Sequence, residues 1–167
     1  MTVKEIPYEF ISQRVPMTWT DVRFGLDNQL LKPKAAIDKA TQQLCDTDAA
    51  SKEVVELASL VESESVIDLV THLAKAETEP SNEIVKAKWL YLVLAWLFEN
   101  RESLVDPLQI VEGVYSDFDY PRQIKSFVRY MPMKEPNLGN REQNEARLFD
   151  HWKAYLDSEE KRFARVS

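Results

Sequence analysis

The chain has 167 residues, of which 44% are hydrophobic and 29% charged, and its net charge is −7. This composition is typical of one globular domain and argues against intrinsic disorder. Only three glycines and one cysteine occur, which disfavours sheet-rich and phosphate-loop folds and excludes an internal disulfide.

The first 45 residues predict three helices. PYEFISQR at 7–14 is a short amphipathic segment whose leading proline suits a first helical turn. Thr18 with Asp21 three residues later resembles a capping box, and apolar residues follow it at helical spacing. Pro33 opens the third helix. Near its end lies Cys45, which we expect to be a small buried hydrophobic residue in a reducing compartment.

Two short amphipathic helices are predicted in the most acidic part of the chain. The second spans Val66–Leu73. The first has an apolar face made of Val54, Leu57, Ala58 and Val61, and Val55 and Leu60 widen this face. Residues 46–83 contain ten acidic residues against two basic ones, a net charge of −8. Direct binding of nucleic acid is therefore disfavoured by the electrostatics.

The segment Ile84–Asn100 predicts a helix around which the other helices pack. From Trp89 to Phe98 it has ten consecutive apolar residues, which is about 15 Å of helix and roughly half of a bilayer core. Because Lys88 precedes this run and Glu99 follows it, we interpret it as a buried core helix and not a membrane span. A helix that is apolar on all sides needs neighbours on every side.

The C-terminal part of the chain is predicted to add three helices. Asp106-Pro107 is a typical N-cap and first-position pair, Pro121 begins a short helix, and Asn140 with Gln143 starts the last one. No strand is expected. The sequence thus predicts an all-α fold: an irregular bundle forming a single domain over 1–167, around a buried central helix at about 82–100.

A search of the sequence for catalytic motifs finds none. HExxH, CxxC, GxGxxG, GxSxG and the P-loop are all missing, so we expect no enzyme, no catalytic residue, no cofactor and no metal. A helical pair of His72 with Asp68 is interpreted as a surface contact. Two acid pairs, Glu53 with Glu56 and Glu64 with Asp68, could hold a cation, but no Glu-x-x-His element accompanies them.

Two groups of residues are candidates for binding a partner protein. The first acidic ridge comprises Glu62, Glu64 and Asp68. The second acidic ridge comprises Glu112, Asp117, Asp119 and Tyr120, in a stretch where aromatic residues alternate with carboxylates. Such a surface suits a basic cleft. The alternatives are that Tyr115 and Phe118 pack inward while the aspartates cap the helix at Pro121, and that the acidic face serves solubility.

The chain resembles a family of small helical bacterial proteins whose functions are largely unknown. The resemblance lies in IPYEFISQRVPMTWTDVRFGLDNQLLKPKAAIDKA (6–40), DPLQIVEGVYSDFDYPRQIKSFVRYMP (106–132) and KWLYLVLAWL. Some members are similar to immunity proteins of contact-dependent growth-inhibition systems, which neutralise EndoU-type ribonuclease toxins. The shared residues are mainly structural, so no catalytic residue is carried over: Trp19, Gly25, Leu30, Pro33, Pro107 and Pro121.

The resemblance implies a cytoplasmic immunity protein that binds a cognate nuclease toxin. Its acidic surface would cover the basic active-site cleft of the toxin, because opposite potentials speed association and penalise wrong partners. A second hypothesis, from another class, is a helical adapter for a different basic partner with no toxin involved. Neither hypothesis requires a membrane, and the N-terminus MTVKEIPYEF lacks the apolar region of a secretory signal.

Overall fold

A computed structural model describes residues 1–61, 64–78, 80–132 and 135–164. Within these ranges the chain forms eight α-helices and two 3-10 helices, and no residue lies in a β-strand. The predicted all-α fold is therefore confirmed. Glu62 of the first acidic ridge lies outside the described residues.

The helices agree closely with the predicted order. In sequence they are α1 (Tyr8–Ser12), α2 (Trp19–Asp27), α3 (Pro33–Asp46), α4 (Lys52–Ala58), α5 (Ile67–Ala76), α6 (Asn82–Glu99), α7 (Pro107–Asp117) and α8 (Arg141–Phe163). The 3-10 helices span Arg101–Ser103 and Arg122–Phe127. The short helix predicted after Pro121 is thus present as a 3-10 helix.

Three of the helix starts are fixed by the predicted caps. At α2 the Thr18 hydroxyl accepts from the N–H of Asp21 at 3.1 Å, and the Asp21 carboxylate accepts from the N–H of Thr18 at 2.9 Å. Asp106 and Asn140 cap α7 and α8 by accepting from the backbone N–H three residues further on. Each bond satisfies a donor that the first helical turn leaves without a partner.

The described residues group into two compact units. One unit is Lys4–Trp89, which contains α1 to α5 and the first half of α6; the other is Met1–Val3 with Leu90–Ser167, which contains α7 and α8. Helix α6 contributes to both units. That residues 1–167 form one domain stays a prediction.

Helix α6 is buried over most of its length, as predicted for the central helix. Every residue from Lys88 to Ala95 is buried, and the exposed residues lie mainly in its first turn. Within the first unit the ring of Trp89 lies near that of Phe24. Within the second unit Tyr91 stacks on Phe163 at 6.1 Å. Each half of the helix is therefore packed by side chains of its own unit.

A buried ion pair joins α2 to α6 in the first unit. Asp21 is 1% exposed and Lys88 is 9% exposed, and Lys88 Nζ lies 2.6 Å from Asp21 Oδ2. Lys88 also donates to the carbonyl of Pro16, and Trp89 Nε1 donates to the carbonyl of Asp21. Buried charges are tolerated when they are paired and hydrogen-bonded. The sequence predicted only the capping role of Asp21.

Gly25 lets α2 approach α6 closely. A Cβ atom at Gly25 would lie 2.5 Å from Trp89 Cζ2 and 2.8 Å from Leu31 Cδ1. Both distances are shorter than real Cβ contacts, and the Trp89 ring is held by its own hydrogen bond. Any larger residue at this position would push the two helices apart.

Two predictions about burial are wrong. Cys45 is exposed, because it lies in the last turn of α3 and on its solvent side. The helical pattern predicts Val61 on the inward apolar face of α4 and Val55 at the edge of that face. The two side chains are instead 60% and 51% exposed. The reason is that α4 ends at Ala58, so Val61 follows the helix and is not on its buried stripe.

The buried ion pair gives a stability prediction. Lys88→Met removes the cation and leaves the Asp21 carboxylate buried without its charge partner, so we expect a loss of about 3–5 kcal/mol in the free energy of unfolding. Urea unfolding followed by circular dichroism measures it.

The matched control is Lys153→Met. Lys153 pairs with Asp157 at 2.7 Å, but both side chains are more than half exposed, so the expected loss is below about 1 kcal/mol. Equal losses in the two variants would show that the buried pair does not carry the stability assigned to it.

Candidate functional site

The described part of the first acidic ridge lies on the surface of the first unit. Glu64 is exposed, and its Oε2 accepts from the N–H of Val61 at 2.8 Å. Asp68 is exposed in the first turn of α5. No described residue forms an ion pair with either carboxylate, so both charges face solvent.

Three aliphatic side chains of α4, α5 and the segment between them are also exposed. Val55, Val61 and Ile67 are 51%, 60% and 37% exposed. Glu53 Oε1 of α4 lies 3.4 Å from His72 Nε2 of α5, a contact between the two helices. We call the surface formed on these two helices and the segment between them the acidic–apolar surface; its described members are Val55, Glu56, Val61, Glu64, Ile67 and Asp68.

The acidic–apolar surface combines exposed carboxylates with exposed aliphatic side chains. Carboxylates alone would serve solubility, but three exposed aliphatic side chains among them gain nothing from water. Burying them against a partner is favourable at roughly 25 cal/mol per Å². The carboxylates around them would in turn select a basic partner.

The second acidic ridge is largely engaged within its own unit. Glu112 lies 3.3 Å from Arg129, whose guanidinium also contacts Asp106 at 3.0 and 3.2 Å and Glu145 at 3.5 Å. The guanidinium of Arg129 thus contacts three carboxylates. Glu112 therefore helps to hold Arg129 in place, and its carboxylate is already paired with a cation of its own unit.

The hydrogen bonds of Arg129 also change two pKa values. Donation from Arg129 to the Asp106 carboxylate holds the pKa of Asp106 below its usual range. The same bond raises the pKa of the Arg129 guanidinium. The pair is therefore charged throughout the neutral range and ties the start of α7 to the segment after the second 3-10 helix.

The rest of the second acidic ridge lies at the end of α7. Asp117 accepts a hydrogen bond from the N–H of Thr2, so one of its carboxylate oxygens is engaged by the N-terminal segment. Asp119 and Tyr120 are exposed and follow the helix with φ values of 60° and 58°. Consecutive left-handed residues other than glycine are uncommon. They turn the chain sharply and place Tyr120 on the surface.

The aromatic residues of this region divide between core and surface. Tyr115 and Phe118 are buried, as the inward-packing alternative stated. Tyr120 is 59% exposed and Tyr130 is 54% exposed. Their rings lie 5.2 Å and 6.1 Å from the ring of Tyr115, centroid to centroid. The second acidic ridge is therefore a small aromatic surface more than an acidic one.

The sequence reasoning missed the apolar half of the acidic–apolar surface. Val55 and Val61 were assigned to a buried face, and Glu56 was not among the partner-binding residues. Serine at positions 51 and 59 brackets only seven helical residues, and that short span was the available signal. A helix that ends at Ala58 cannot bury a residue three positions later.

No group of three or more His, Cys, Asp or Glu side chains among the described residues is arranged to hold a metal ion. None of the helices described has the length and apolar content needed to cross a membrane.

The sequence matches a family model described as an uncharacterized protein conserved in bacteria (DUF2247), over residues 8–160. The match runs from the start of α1 into α8. Comparison with curated proteins and comparison with solved structures each gave no match. The match names no ligand or partner, so the function must be argued from the surface residues of the chain.

The Arg129 cluster makes stability depend on acid pH. Asp106→Asn keeps the N-cap oxygen but removes the charge, so we expect a loss of about 1 kcal/mol at pH 7. Because the folded pKa of Asp106 is lowered, its contribution is present above pH about 4 and disappears as the pH falls further. Urea unfolding at pH 7, 5 and 3 checks this.

The difference between the wild type and Asp106→Asn should therefore shrink at pH 3. Asp157→Asn, in the exposed pair with Lys153, is the control and should change stability little at any of the three pH values. A difference for Asp106→Asn that is constant from pH 7 to pH 3 would contradict the assignment.

Proposed function

The chain belongs to the bacterial family DUF2247, and we propose that it is an immunity protein that binds and neutralises a nuclease toxin. The sequence resemblance favours a ribonuclease as this toxin. The chain acts in the cytoplasm, performs no chemistry, and covers the basic active-site cleft of the toxin with an acidic surface. The acidic–apolar surface of α4 and α5 is the observation that carries this proposal.

The carboxylates of the acidic–apolar surface provide long-range attraction. A ribonuclease must hold phosphate, so its active-site cleft is basic. Glu56, Glu64 and Asp68 have no ion-pair partner among the described residues, so their field extends into solvent. Complementary charge of this kind raises association rates by about tenfold to a thousandfold at low salt. An inhibitor of a lethal enzyme benefits from fast capture.

The exposed valines and isoleucine provide the short-range part of the interaction. Val55 and Val61 have more than half of their surface in water, and a partner that covers them gains hydrophobic free energy without any rearrangement of the core. Apolar contacts at the centre of an interface mainly set the dissociation rate, whereas charges at its rim mainly set the association rate.

Tyr120 stays a candidate for partner binding on the second unit. It is exposed, and Asp119 beside it is exposed as well. Tyrosine is common at interface hot spots because it buries a large area with few rotatable bonds. Glu112 and Asp117 are weaker candidates, since their carboxylates are engaged with Arg129 and with the N–H of Thr2.

A helical adapter for another basic partner, with no toxin involved, is the second candidate function. The same acidic–apolar surface favours it, because nothing in that surface specifies a nuclease. The two candidates differ in a measurable way: an immunity protein abolishes the ribonuclease activity of its partner, whereas an adapter binds without inhibition.

The test uses the ribonuclease domain of a toxin encoded beside the gene for this chain. We expect a tight complex, loss of ribonuclease activity, and an association rate that falls steeply with salt. The triple variant Glu56→Lys, Glu64→Lys and Asp68→Lys should slow association by roughly tenfold or more at low salt. Stopped-flow fluorescence measures the rates.

The matched control reverses three exposed carboxylates of α8, with Glu142→Lys, Asp150→Lys and Glu160→Lys. It changes the net charge equally, so it separates the local surface from the total charge. Equal slowing in the two triple variants, or an association rate independent of salt, would count against the proposed surface. Binding without inhibition would favour the adapter.

The apolar half of the surface is tested separately. Val55→Ser with Val61→Ser removes exposed aliphatic groups and should leave the fold intact. We expect the complex to dissociate roughly tenfold faster, with the salt dependence of association unchanged. Surface plasmon resonance gives both rates. An unaltered dissociation rate would place the interface elsewhere on the chain.

A further inference from the structure

A pocket of about 280 Å³ lies in the second unit, between the second 3-10 helix and α8. Its volume is close to the lower end of the range for small-ligand sites. The proposed function does not use it. Its basic lining residues are Arg122, Lys125, Arg147 and His151, which is unusual in a chain of net charge −7.

The charges that line the pocket are not balanced. Glu135 is its acidic lining residue, and it is shared between Arg147 and His151. Arg122 and Lys125 are exposed and form no ion pair with any described residue. Among the described lining residues, three permanently cationic side chains therefore stand against one carboxylate. An anion entering the pocket would meet positive charge that is not already neutralised.

Glu135 shows which chemistry the pocket accepts. Its Oε2 receives a hydrogen bond from Arg147 Nη1 at 3.0 Å, and its Oε1 lies 3.2 Å from His151 Nε2. Arg147 is held in place because its other nitrogen donates to the carbonyl of Pro136 at 2.6 Å, and its side chain is only 12% exposed. A fixed guanidinium of this kind is well suited to bind a carboxylate.

The ring of His151 is oriented toward two acceptors. Nδ1 lies 3.3 Å from the carbonyl of Ser126, and Nε2 faces Glu135. Only the protonated ring can donate to both oxygens at once. A carboxylate in this position therefore lies between the fixed guanidinium of Arg147 and Nε2 of His151, which donates to it when that nitrogen carries a proton.

The other walls of the pocket are apolar. Val128 and Leu148 are buried side chains that reach its lining, and Met131 and Pro132 complete the apolar part. Apolar walls beside a few convergent polar groups are typical of a site for a small organic molecule. A bare inorganic anion would gain nothing from these walls.

We propose that this pocket is a binding site for a small organic carboxylate with an apolar body, in which the ligand carboxylate takes the place of Glu135 between Arg147 and His151. Arg122 and Lys125 attract the anion, and Val128, Met131 and Leu148 cover its apolar part. Glu135 competes with the ligand because it is an intramolecular carboxylate at high effective concentration.

The test titrates the full chain with hexanoate and with benzoate, followed by two-dimensional NMR of the backbone amides. The two ligands share the carboxylate and distinguish an aliphatic from an aromatic body. We expect saturable shifts at residues of the pocket, and Glu135→Gln should tighten binding by roughly tenfold because it removes the competing charge. Hexanol and inorganic phosphate are the ligand controls.

The variant Arg122→Gln with Lys125→Gln should weaken hexanoate binding by roughly tenfold. Both side chains are exposed, so the fold should be kept. The matched control is Arg141→Gln with Lys161→Gln, two exposed cations of α8 that do not line the pocket; it should leave the affinity unchanged.

Three results would overturn the proposal. One is the absence of pocket shifts with either carboxylate in both the wild type and Glu135→Gln, since Glu135 would then be a permanent structural partner of Arg147. Another is binding of hexanol as tight as that of hexanoate. The third is binding of phosphate as tight as that of hexanoate, which would mean that the apolar walls play no part.

Discussion

Helix α6 is apolar around its whole circumference, and the rest of the structure depends on that constraint. Such a helix persists in water only where other side chains surround it. Its first half is packed by α2, where Gly25 permits close approach to Trp89. Its second half carries Tyr91, which stacks on Phe163 of α8. Because the apolar residues of α6 are buried in this core, the exposed carboxylates lie on other elements, among them the short helices α4 and α5.

The buried pair of Asp21 and Lys88 is the polar exception in this core. Replacing such pairs with apolar residues often costs little stability, so the pair is better understood as a constraint on geometry. Lys88 reaches both the Asp21 carboxylate and the carbonyl of Pro16, and Asp21 caps α2 with its other contacts. We infer that the pair fixes the rotation of α6 relative to α2, which an apolar helix alone would leave poorly specified.

Much of the fold could be predicted because its signals are local. The caps at Thr18, Asp106 and Asn140 lie within three residues of their partners, and the apolar run of α6 is continuous. The errors have local causes too. The apolar spacing continues past Ala58 to Val61, and it outweighs the weaker signal of the serines at positions 51 and 59 that bracket the true helix.

The candidate site was less predictable because it depends on pairings across the chain. In the sequence, Lys88 is a charge that precedes an apolar run. Its partner Asp21 is 67 residues away, so the sequence gives no sign of the buried pair. Arg129 engages Glu112 and two other carboxylates from different segments, so part of the charge of an apparent acidic ridge is paired within the unit. Residue spacing identifies carboxylates that share a helix face, but it does not reveal the cations that fold back onto them.

The turn after α7 has a consequence for how this surface can evolve. Asp119 and Tyr120 both adopt the left-handed conformation, which glycine and asparagine adopt at a lower energetic cost. Replacing Tyr120 with glycine or asparagine would relieve this backbone strain but would remove the exposed phenol ring. The backbone and the aromatic surface therefore make opposite demands on this one position.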